Sequence, residues 1–351
     1  MKKIIKNITI VGMLISASHA IAGNEDRVGS AGASQLMVNP WARSGGSADA
    51  GFANVNGLEA SYLNIAGLAY SDKTQIKFNM SNWLGSAGIN FISAGLAQRI
   101  SESSVFCVSV NSMNFGEVQT TTVYLPEGGI GVFTPRVNVF SVGFAKKFSS
   151  SISGGINFKV LSESIANLKA SGVAFDAGIR YVTGEKDHIK FGISLKNVGP
   201  TMKYKGDGLA NQVTINSNGG LATLEQRSQQ YEMPALLNIG GSYDFIFSES
   251  SKLTMMLAFT ANSFSSDQYR IGFDYGVNKA KAAFNLRFGY VYEKGIFSIE
   301  NRTNALSGPT AGFSVDVLSG KNKSPLGIEY AVKMSGPFGL IHTAGVTIAI
   351  K

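Results

Sequence analysis

The sequence predicts an all-β protein, a transmembrane antiparallel β-barrel of about fourteen strands with an N-terminal plug or hatch segment. Three observations predict this class. From Lys73 to the C-terminus, large apolar residues alternate with small or polar ones over segments of about ten residues. Charged residues make up only 15% of the chain, and glycine is abundant at 41 residues. The apolar set is rich in aromatic residues, which is typical of a barrel that is apolar outside and polar inside.

The first 22 residues have the features of a secretory signal peptide. Three lysines precede an apolar stretch at residues 8–18, and Ala20 and Ala22 supply the small side chains of a cleavage site. We therefore expect residues 1–22 to be removed and the mature chain to begin near Gly23.

Residues 23–72 lack the long alternation and are rich in glycine, alanine and serine. A flexible linker is the alternative, and their apolar content argues against it. We predict that they form a compact plug that fills or closes one end of the barrel. The most distinctive residues of this segment are Trp41, Arg43, Asn64, Ile65, Ala66, Gly67 and Leu68.

Residues 73–351 are predicted to form the barrel itself, because each alternating segment is long enough for a strand to cross a bilayer. Tyr269 and Ile271, for example, alternate with Arg270 and Gly272. Such a strand has one apolar and one polar face. The predicted strands cover residues 74–83, 87–100, 103–117, 136–148, 151–164, 169–183, 187–198, 232–246, 251–264, 267–278, 281–294, 309–319, 325–334 and 339–350.

The lengths of the connections support this strand count. The long connections, residues 118–135, 199–231 and 295–308, all follow odd-numbered strands. Because neighbouring strands are antiparallel, these connections are expected at one end of the barrel. Short periplasmic turns and longer outer loops are typical of outer-membrane barrels.

Charged residues of both signs recur at positions that face the predicted lumen. With a hairpin turn near residues 278–280, we expect Arg270, Asp274 and Arg287 to be near neighbours. Two interpretations are open: a polar channel or ligand-lined lumen, or a salt-bridge network that holds plug and wall together. The predicted lumen charges are Asp176, Arg180, Lys190, Lys196, Arg270, Asp274, Arg287, Glu329 and Lys333.

The sequence contains no constellation of catalytic or metal-ligating residues. None of the three histidines has a partner at metal-ligand spacing, and no nucleophile motif or phosphate-binding loop is present. Cys107 is the single cysteine and is expected to be a buried or lipid-facing thiol. No stripe of basic and aromatic residues indicates nucleic-acid binding. We therefore expect no enzymatic activity, no cofactor or metal, and no nucleic-acid partner.

Short motifs before the first strand resemble those of a known family. Ala-Arg-Ser-Gly-Gly at residues 42–46 is followed by Asn-Ile-Ala-Gly-Leu-Ala at residues 64–69. With the signal peptide and the strand count, these motifs resemble the PorV/PorQ outer-membrane proteins of the type IX secretion system in Bacteroidota. That family is itself similar to the FadL-type fatty-acid channels. Those families have an Asn-Pro-Ala-Gly-Leu turn, whereas this chain has Ile65 in place of the proline.

The resemblance implies an integral outer-membrane protein with a role in protein export. Its partners would be the lipid bilayer and the secretion translocon, the C-terminal domains of exported cargo, or surface attachment proteins. The plug and the outer loops would carry partner binding. The alternative is a FadL-like channel for uptake of hydrophobic small molecules, with the plug as a gate. A structural barrel without a passage is the third possibility.

Overall fold

The structure, a computed structural model, describes residue 23 and residues 25–84, 88–215, 220–298, 304–319 and 324–350. The expected signal peptide, residues 1–22, lies outside the described residues. Within the described ranges, no helix is long and apolar enough to cross a membrane.

Strands form most of the described chain from Thr74 onward, and short helical turns dominate the segment before it. The strands are β1 Thr74–Trp83, β2 Ile89–Arg99, β3 Ser104–Asn114, β4 Val118–Gln119, β5 Val132–Phe133, β6 Arg136–Lys147, β7 Ile152–Ile165, β8 Leu168–Thr183, β9 Ile189–Val198, β10 Ala210–Ile215, β11 Gly220–Glu225, β12 Leu236–Ser248, β13 Ser251–Asn262, β14 Gln268–Asn278, β15 Ala282–Glu293, β16 Gly308–Ser319, β17 Ser324–Met334 and β18 Leu340–Ile350. One α-helical turn, α1, covers Ala42–Gly46, and 3-10 turns cover Glu25–Arg27, Ser34–Met37, Gly57–Ser61, Ile65–Tyr70, Asp207–Leu209 and Gly336–Phe338.

In the described part of the chain, fourteen of these strands form one closed antiparallel barrel. The sheet closes where β1 pairs with β18, from Thr74 opposite Ile350 to Asn82 opposite His342. These fourteen strands coincide with the predicted ones, so the predicted fold class is confirmed. The other four strands form two small hairpins, β4–β5 and β10–β11, within long connections that the sequence analysis treated as loops.

The two faces of the wall divide as the alternation predicts. In β1, Ile76, Phe78 and Met80 are exposed on the outside, whereas Lys77 and Asn79 are buried on the inside. Other barrel strands likewise expose aromatic and aliphatic side chains outward and bury polar side chains inward. This is the reverse of a water-soluble barrel, so the outer surface is suited to lipid.

The two ends of the barrel differ in their connections. Residues 115–135, 199–235 and 294–307 connect strands at one end, which we name the loop end. The other end, named the turn end, has short connections such as residues 148–151 and 249–250. The long connections therefore share one end, as the sequence predicts.

Residues 25–72, hereafter the N-terminal segment, run through the inside of the barrel. At the loop end, Ala31 forms a parallel bridge with Glu232. At the turn end, Arg99 donates a hydrogen bond to the carbonyl oxygen of Ser71, shortly before β1 begins. The segment therefore enters the lumen at one end and continues into the wall at the other.

Inward-facing glycines make room for this segment. A Cβ atom on Gly272 would lie 2.6 Å from the carbonyl oxygen of Ser47. A Cβ atom on Gly312 would lie 3.0 Å from Cα of Gly46. Backbone of the segment thus occupies space that wall side chains would otherwise fill.

Candidate functional site in the barrel lumen

A network of buried charges joins the N-terminal segment to the wall. Arg43, in α1, donates hydrogen bonds to Asp316 and to Glu329, each at 2.5 Å. Glu329 also lies 2.9 Å from Lys77, and Lys77 in turn pairs with Glu59 of the segment. Each of these groups has an oppositely charged partner, which compensates for its removal from water. The sequence-predicted residues Arg43 and Glu329 are thus brought together.

A second ionic contact is centred on Asp49 of the segment. Its carboxylate lies 3.3 Å from Nζ of Lys333 and 3.6 Å from Nη1 of Arg270. Asp274 and Arg287 pair with each other at 2.9 Å. Arg270 does not join that pair as expected, because it lies four residues further along β14, roughly 13 Å at strand spacing. It contacts the segment instead.

Asn64 begins the helical turn Ile65–Tyr70 and ties the segment to the wall. Its side-chain oxygen accepts a hydrogen bond from the N–H of Ala66 at 3.2 Å. Its amide nitrogen donates to the carbonyl oxygens of Phe52 at 2.8 Å and Ile179 at 3.1 Å. One side chain therefore caps a turn, links two parts of the segment and contacts β8.

The other motif residues pack against their surroundings. Ile65 and Leu68 lie with Trp41 in a buried apolar cluster. Gly67 is buried beside the carbonyl oxygen of Val55, where a larger side chain would overlap it. The wall side of the cluster consists mainly of small residues, Ala97, Cys107 and Ala145 among them. The thiol is therefore buried between segment and wall.

Three further predicted lumen charges have side-chain partners at the inner surface of the wall. The pairs are Arg180 with Asn56 at 2.7 Å, Asp176 with Lys159 at 2.6 Å, and Lys190 with Asp244 at 2.7 Å. Only Arg180 reaches the segment, through Asn56, whereas the other two pairs join neighbouring strands of the wall. Among the residues that the structure describes, no group of three His, Cys, Asp or Glu side chains is arranged to hold a metal ion.

A cavity of about 490 Å³ lies at the loop end between the segment and the wall. Its β1–β3 side and the adjoining part of the segment are apolar, with Val38, Trp83, Ile89, Met113 and Phe115. Its charged lining residues lie on other strands and on the segment, and they are Lys196, Arg270, Lys333 and Asp49. Three basic residues against one carboxylate leave this lining with an excess of basic side chains.

Lys196 differs from the other cations of the cavity. Lys196 is only 2% exposed, and its Nζ lies 3.6 Å from the centre of the Tyr62 ring. No carboxylate of the described chain forms an ion pair with it, whereas Arg270 and Lys333 share Asp49. Cation–π contact with Tyr62 offsets part of the desolvation of this ammonium group.

A β-bulge positions Lys196. Lys196 and Asn197 of β9 both stand opposite Asp176 of β8, and both are buried inside. Asn197 has a φ of 59°, which lets the strand absorb the extra residue. The alternation predicts that Lys196 faces inward. It does not reveal the bulge, because the interruption occupies a single residue near the strand end.

The connection of residues 199–235 is fastened beside the cavity. Tyr204 and Tyr231 donate hydrogen bonds to Glu163 at 2.7 and 3.0 Å, and Gln35 of the segment donates to the same carboxylate at 2.8 Å. Burial and the hydrogen bond to Glu163 raise the pKa of Tyr204 to about 12, so its hydroxyl remains a donor at neutral pH. Sequence analysis did not single out these residues, because they lie outside the alternating segments.

Comparison with known proteins finds similarity at the level of the fold. No family model matches the chain, and no curated protein matches it. A Pseudomonas aeruginosa FadL homologue is similar in structure, with a TM-score of 0.54, 10% identity, and coverage of 88% of this chain and 98% of that one. Its fold is that of the FadL-type outer-membrane channels.

Two further solved structures agree with this likeness. The Pseudomonas putida toluene transporter TodX has a TM-score of 0.54 at 11% identity, covering 86% of this chain and 95% of that one. The CymD monoaromatic hydrocarbon channel has a TM-score of 0.51 at 13% identity, covering 93% and 99%. At such identities the likeness concerns the fold alone. The resemblance to the PorV/PorQ proteins stays a prediction.

Proposed function

We propose that this protein is a non-enzymatic outer-membrane β-barrel that binds amphipathic small molecules in the loop-end cavity and passes them toward the periplasm. The ligand has an apolar body and an anionic end. This narrows the FadL-like alternative raised by the sequence, which was a channel for uptake of hydrophobic small molecules. The fold-level likeness to a FadL homologue, to a toluene transporter and to a monoaromatic hydrocarbon channel supports it.

The proposal rests on the lining of the cavity, which is apolar on one side and charged on the other. Val38, Trp83 and Met113 provide apolar contact area, each Å² of which contributes roughly 25 cal/mol when a ligand covers it. The charged lining has an excess of basic side chains, and Lys196 has no carboxylate partner among the described residues. An anionic group next to Lys196 would compensate a buried charge that is otherwise unfavourable. A neutral hydrocarbon such as toluene would leave it uncompensated.

Decanoate and decanol test this proposal, because they share an alkyl chain and differ in charge. Calorimetric titration of the purified barrel in a non-ionic detergent is expected to give about tenfold tighter binding of decanoate, a difference of about 1.4 kcal/mol. Lys196→Gln is expected to remove most of that difference. Lys190→Gln is the matched control, since Lys190 lies on the same strand but pairs with Asp244 outside the cavity lining.

Two outcomes would contradict the proposal. Equal binding of decanoate and decanol would show that charge is not recognised. Tighter binding of toluene than of either probe would instead favour a channel for neutral hydrocarbons. Uptake of decanoate by cells that lack the protein, compared with complemented cells, then tests passage separately from binding.

We also propose that residues 23–72 act as the plug and that the mature protein resides in the outer membrane after removal of residues 1–22. The path of the N-terminal segment through the lumen and the exposed apolar outer face support this. Sequencing the N-terminus of protein extracted from outer membranes is expected to give a start near Gly23. A start at Met1 would refute the cleavage.

A second candidate function, partner binding in type IX secretion, is favoured by the connection of residues 115–135. Val123 and Tyr124 there are 93% and 92% exposed, and Leu125 and Ile130 are also exposed. Contiguous apolar side chains in an outer loop are unfavourable in water and often mark a binding surface. Exported cargo domains, the translocon or surface attachment proteins would be the partners.

Cross-linking in cells followed by co-purification tests this second candidate. A Val123→Ser, Tyr124→Ser variant is expected to lose the partner that the unaltered protein retains. A variant with Val213→Ser and Leu221→Ser, exposed residues of the hairpin β10–β11, is the matched control. If the unaltered protein retains no secretion component, this candidate is wrong.

A further inference from the structure

Basic side chains line up across the outer wall at the loop end of β6–β8. Arg136 of β6 stands opposite Ser164 of β7, and Ser164 stands opposite Lys169 of β8. Lys169 in turn stands opposite Lys205 of the connection, with backbone hydrogen bonds of 2.9 Å in both directions. Residues that stand directly opposite each other share one face of a sheet. One row across the wall therefore contains three basic residues.

This row faces outward, away from the lumen. Tyr204 points inward, where its hydroxyl donates a hydrogen bond to Glu163. Because side chains alternate along an extended chain, its neighbours Lys203 and Lys205 point outward. All the basic residues of this surface are exposed. We name as the basic patch the four residues Arg136, Lys169, Lys203 and Lys205.

The charges of the basic patch are not compensated within the described chain. None of its four side chains forms an ion pair with a described carboxylate. Asp207, the acidic residue nearest to Lys205 in the sequence, is exposed and pairs with none of them. Like charges directly opposite each other, as at Lys169 and Lys205, are destabilising. A bound anion would remove this repulsion.

The basic patch is local, because the outer wall is otherwise uncharged near the loop end. Across the other described strands of the barrel, the outward side chains nearest to that end carry no charge. Examples are Asn82 of β1, Asn90 of β2, Tyr269 of β14, Tyr292 of β15 and Met334 of β17. The patch is therefore a site on one side of the barrel.

The same strands present an apolar face below the basic patch. Phe140 of β6, Val160 of β7 and Phe175 of β8 are exposed large apolar side chains on the outer face. Phe140 lies four residues from Arg136, roughly 14 Å along the strand. An anionic group at the patch is thus positioned to belong to a molecule whose apolar chains lie along this face.

We propose that the basic patch binds a phosphate-bearing lipid of the outer leaflet, with phosphate at Lys169 and Lys205 and acyl chains against Phe140 and Val160. The proposal rests on the outer-membrane location proposed above and not on the loop-end cavity. Charge-assisted hydrogen bonds from lysine and arginine suit phosphate oxygens. With strands about 4.8 Å apart, the patch spans roughly 14 Å from Arg136 to Lys205. A lipid fits better than free phosphate, because the apolar face lies directly below the charges.

Two matched lipids test this site, because dioleoyl phosphatidic acid and dioleoylglycerol share their acyl chains and differ in the phosphate. Native mass spectrometry of the purified barrel in a non-ionic detergent is expected to show at least about tenfold tighter binding of phosphatidic acid. The double variant Lys169→Gln, Lys205→Gln is expected to lose most of this difference. The control Lys146→Gln, Lys186→Gln removes two exposed lysines at the turn end and is expected to keep it.

Each contrary outcome has a defined meaning. Equal binding of the two lipids, or equal losses in the two double variants, would overturn the site. Displacement of the lipid by inorganic phosphate, but not by chloride at the same ionic strength, would show that free phosphate is the ligand and overturn the lipid. Absence of the protein from outer membranes would reject the location, and failure to bind decanoate would reject the cavity function. Neither of these results changes the lipid binding measured in detergent.

Discussion

Glu329 shows how a single lumen charge anchors the N-terminal segment. Its carboxylate accepts hydrogen bonds from Arg43 of the segment, from Lys77 on β1 and from the hydroxyl of Thr347 on β18. The alternation along β17 predicts that Glu329 faces inward. It does not predict the partners, because Arg43 is 286 positions away in the sequence and only the path of the segment brings them together.

Glu329→Gln is therefore expected to destabilise the folded barrel by about 3 kcal/mol, because it leaves two buried cations short of a counter-charge. Thermal unfolding followed by circular dichroism in detergent would measure the loss. Glu102→Gln is the control, since Glu102 is exposed at a turn and its substitution should change the free energy of unfolding very little. A loss at Glu329 no larger than that of the control would mean that Asp316 and Glu59 suffice as partners.

Among the elements of the barrel, β14 shows why similar residues can have different roles. Arg270, Gly272, Asp274 and Gly276 all face inward, as the alternation predicts. Gly272 lies against the carbonyl oxygen of Ser47, whereas a Cβ atom at Gly276 would meet only the flexible side chain of Asn285. The two glycines are equivalent in the sequence pattern and differ only in whether the segment passes beside them.

Gly272→Val is expected to destabilise the protein by about 1–3 kcal/mol, because the new side chain would press against backbone of the segment. Gly276→Val is expected to be close to neutral or stabilising, since valine favours strands and Asn285 can move aside. Thermal unfolding of both variants measures the difference. Similar effects at the two positions would contradict the packing described for Gly272.

The strands themselves were accessible to sequence analysis because their signal is local. Each barrel strand repeats the same alternation, so its position and its lipid-facing side follow from neighbouring residues. The bulge at Asn197 and the hairpin β10–β11 have no such local signal. They depend on strand register and on the route of the segment, which a pattern of period two does not encode.

For the whole molecule, the decisive arrangement is a closed wall around a fastened segment. Charged anchors at Asp49 and Arg43, the hydrogen bonds of Asn64 and the apolar cluster around Ile65 hold the segment from different sides. The candidate site arises from this arrangement, since the cavity is bounded partly by the wall and partly by the segment. Sequence analysis named many of these residues, but the cavity exists only in the assembled fold.

Removing residues 23–72 should convert the barrel into an open pore. The wall keeps its closed ladder of strand pairs, while loss of the segment leaves a lumen lined with polar side chains. In planar bilayers the intact protein is expected to give no steady ion conductance, and the deletion variant is expected to conduct. Circular dichroism verifies that the deletion variant retains its strands, and Lys196→Gln, with the segment in place, is the non-conducting control. Equal conductance of the intact and deleted proteins would mean that the segment does not close the lumen, because an ion path would already exist beside it.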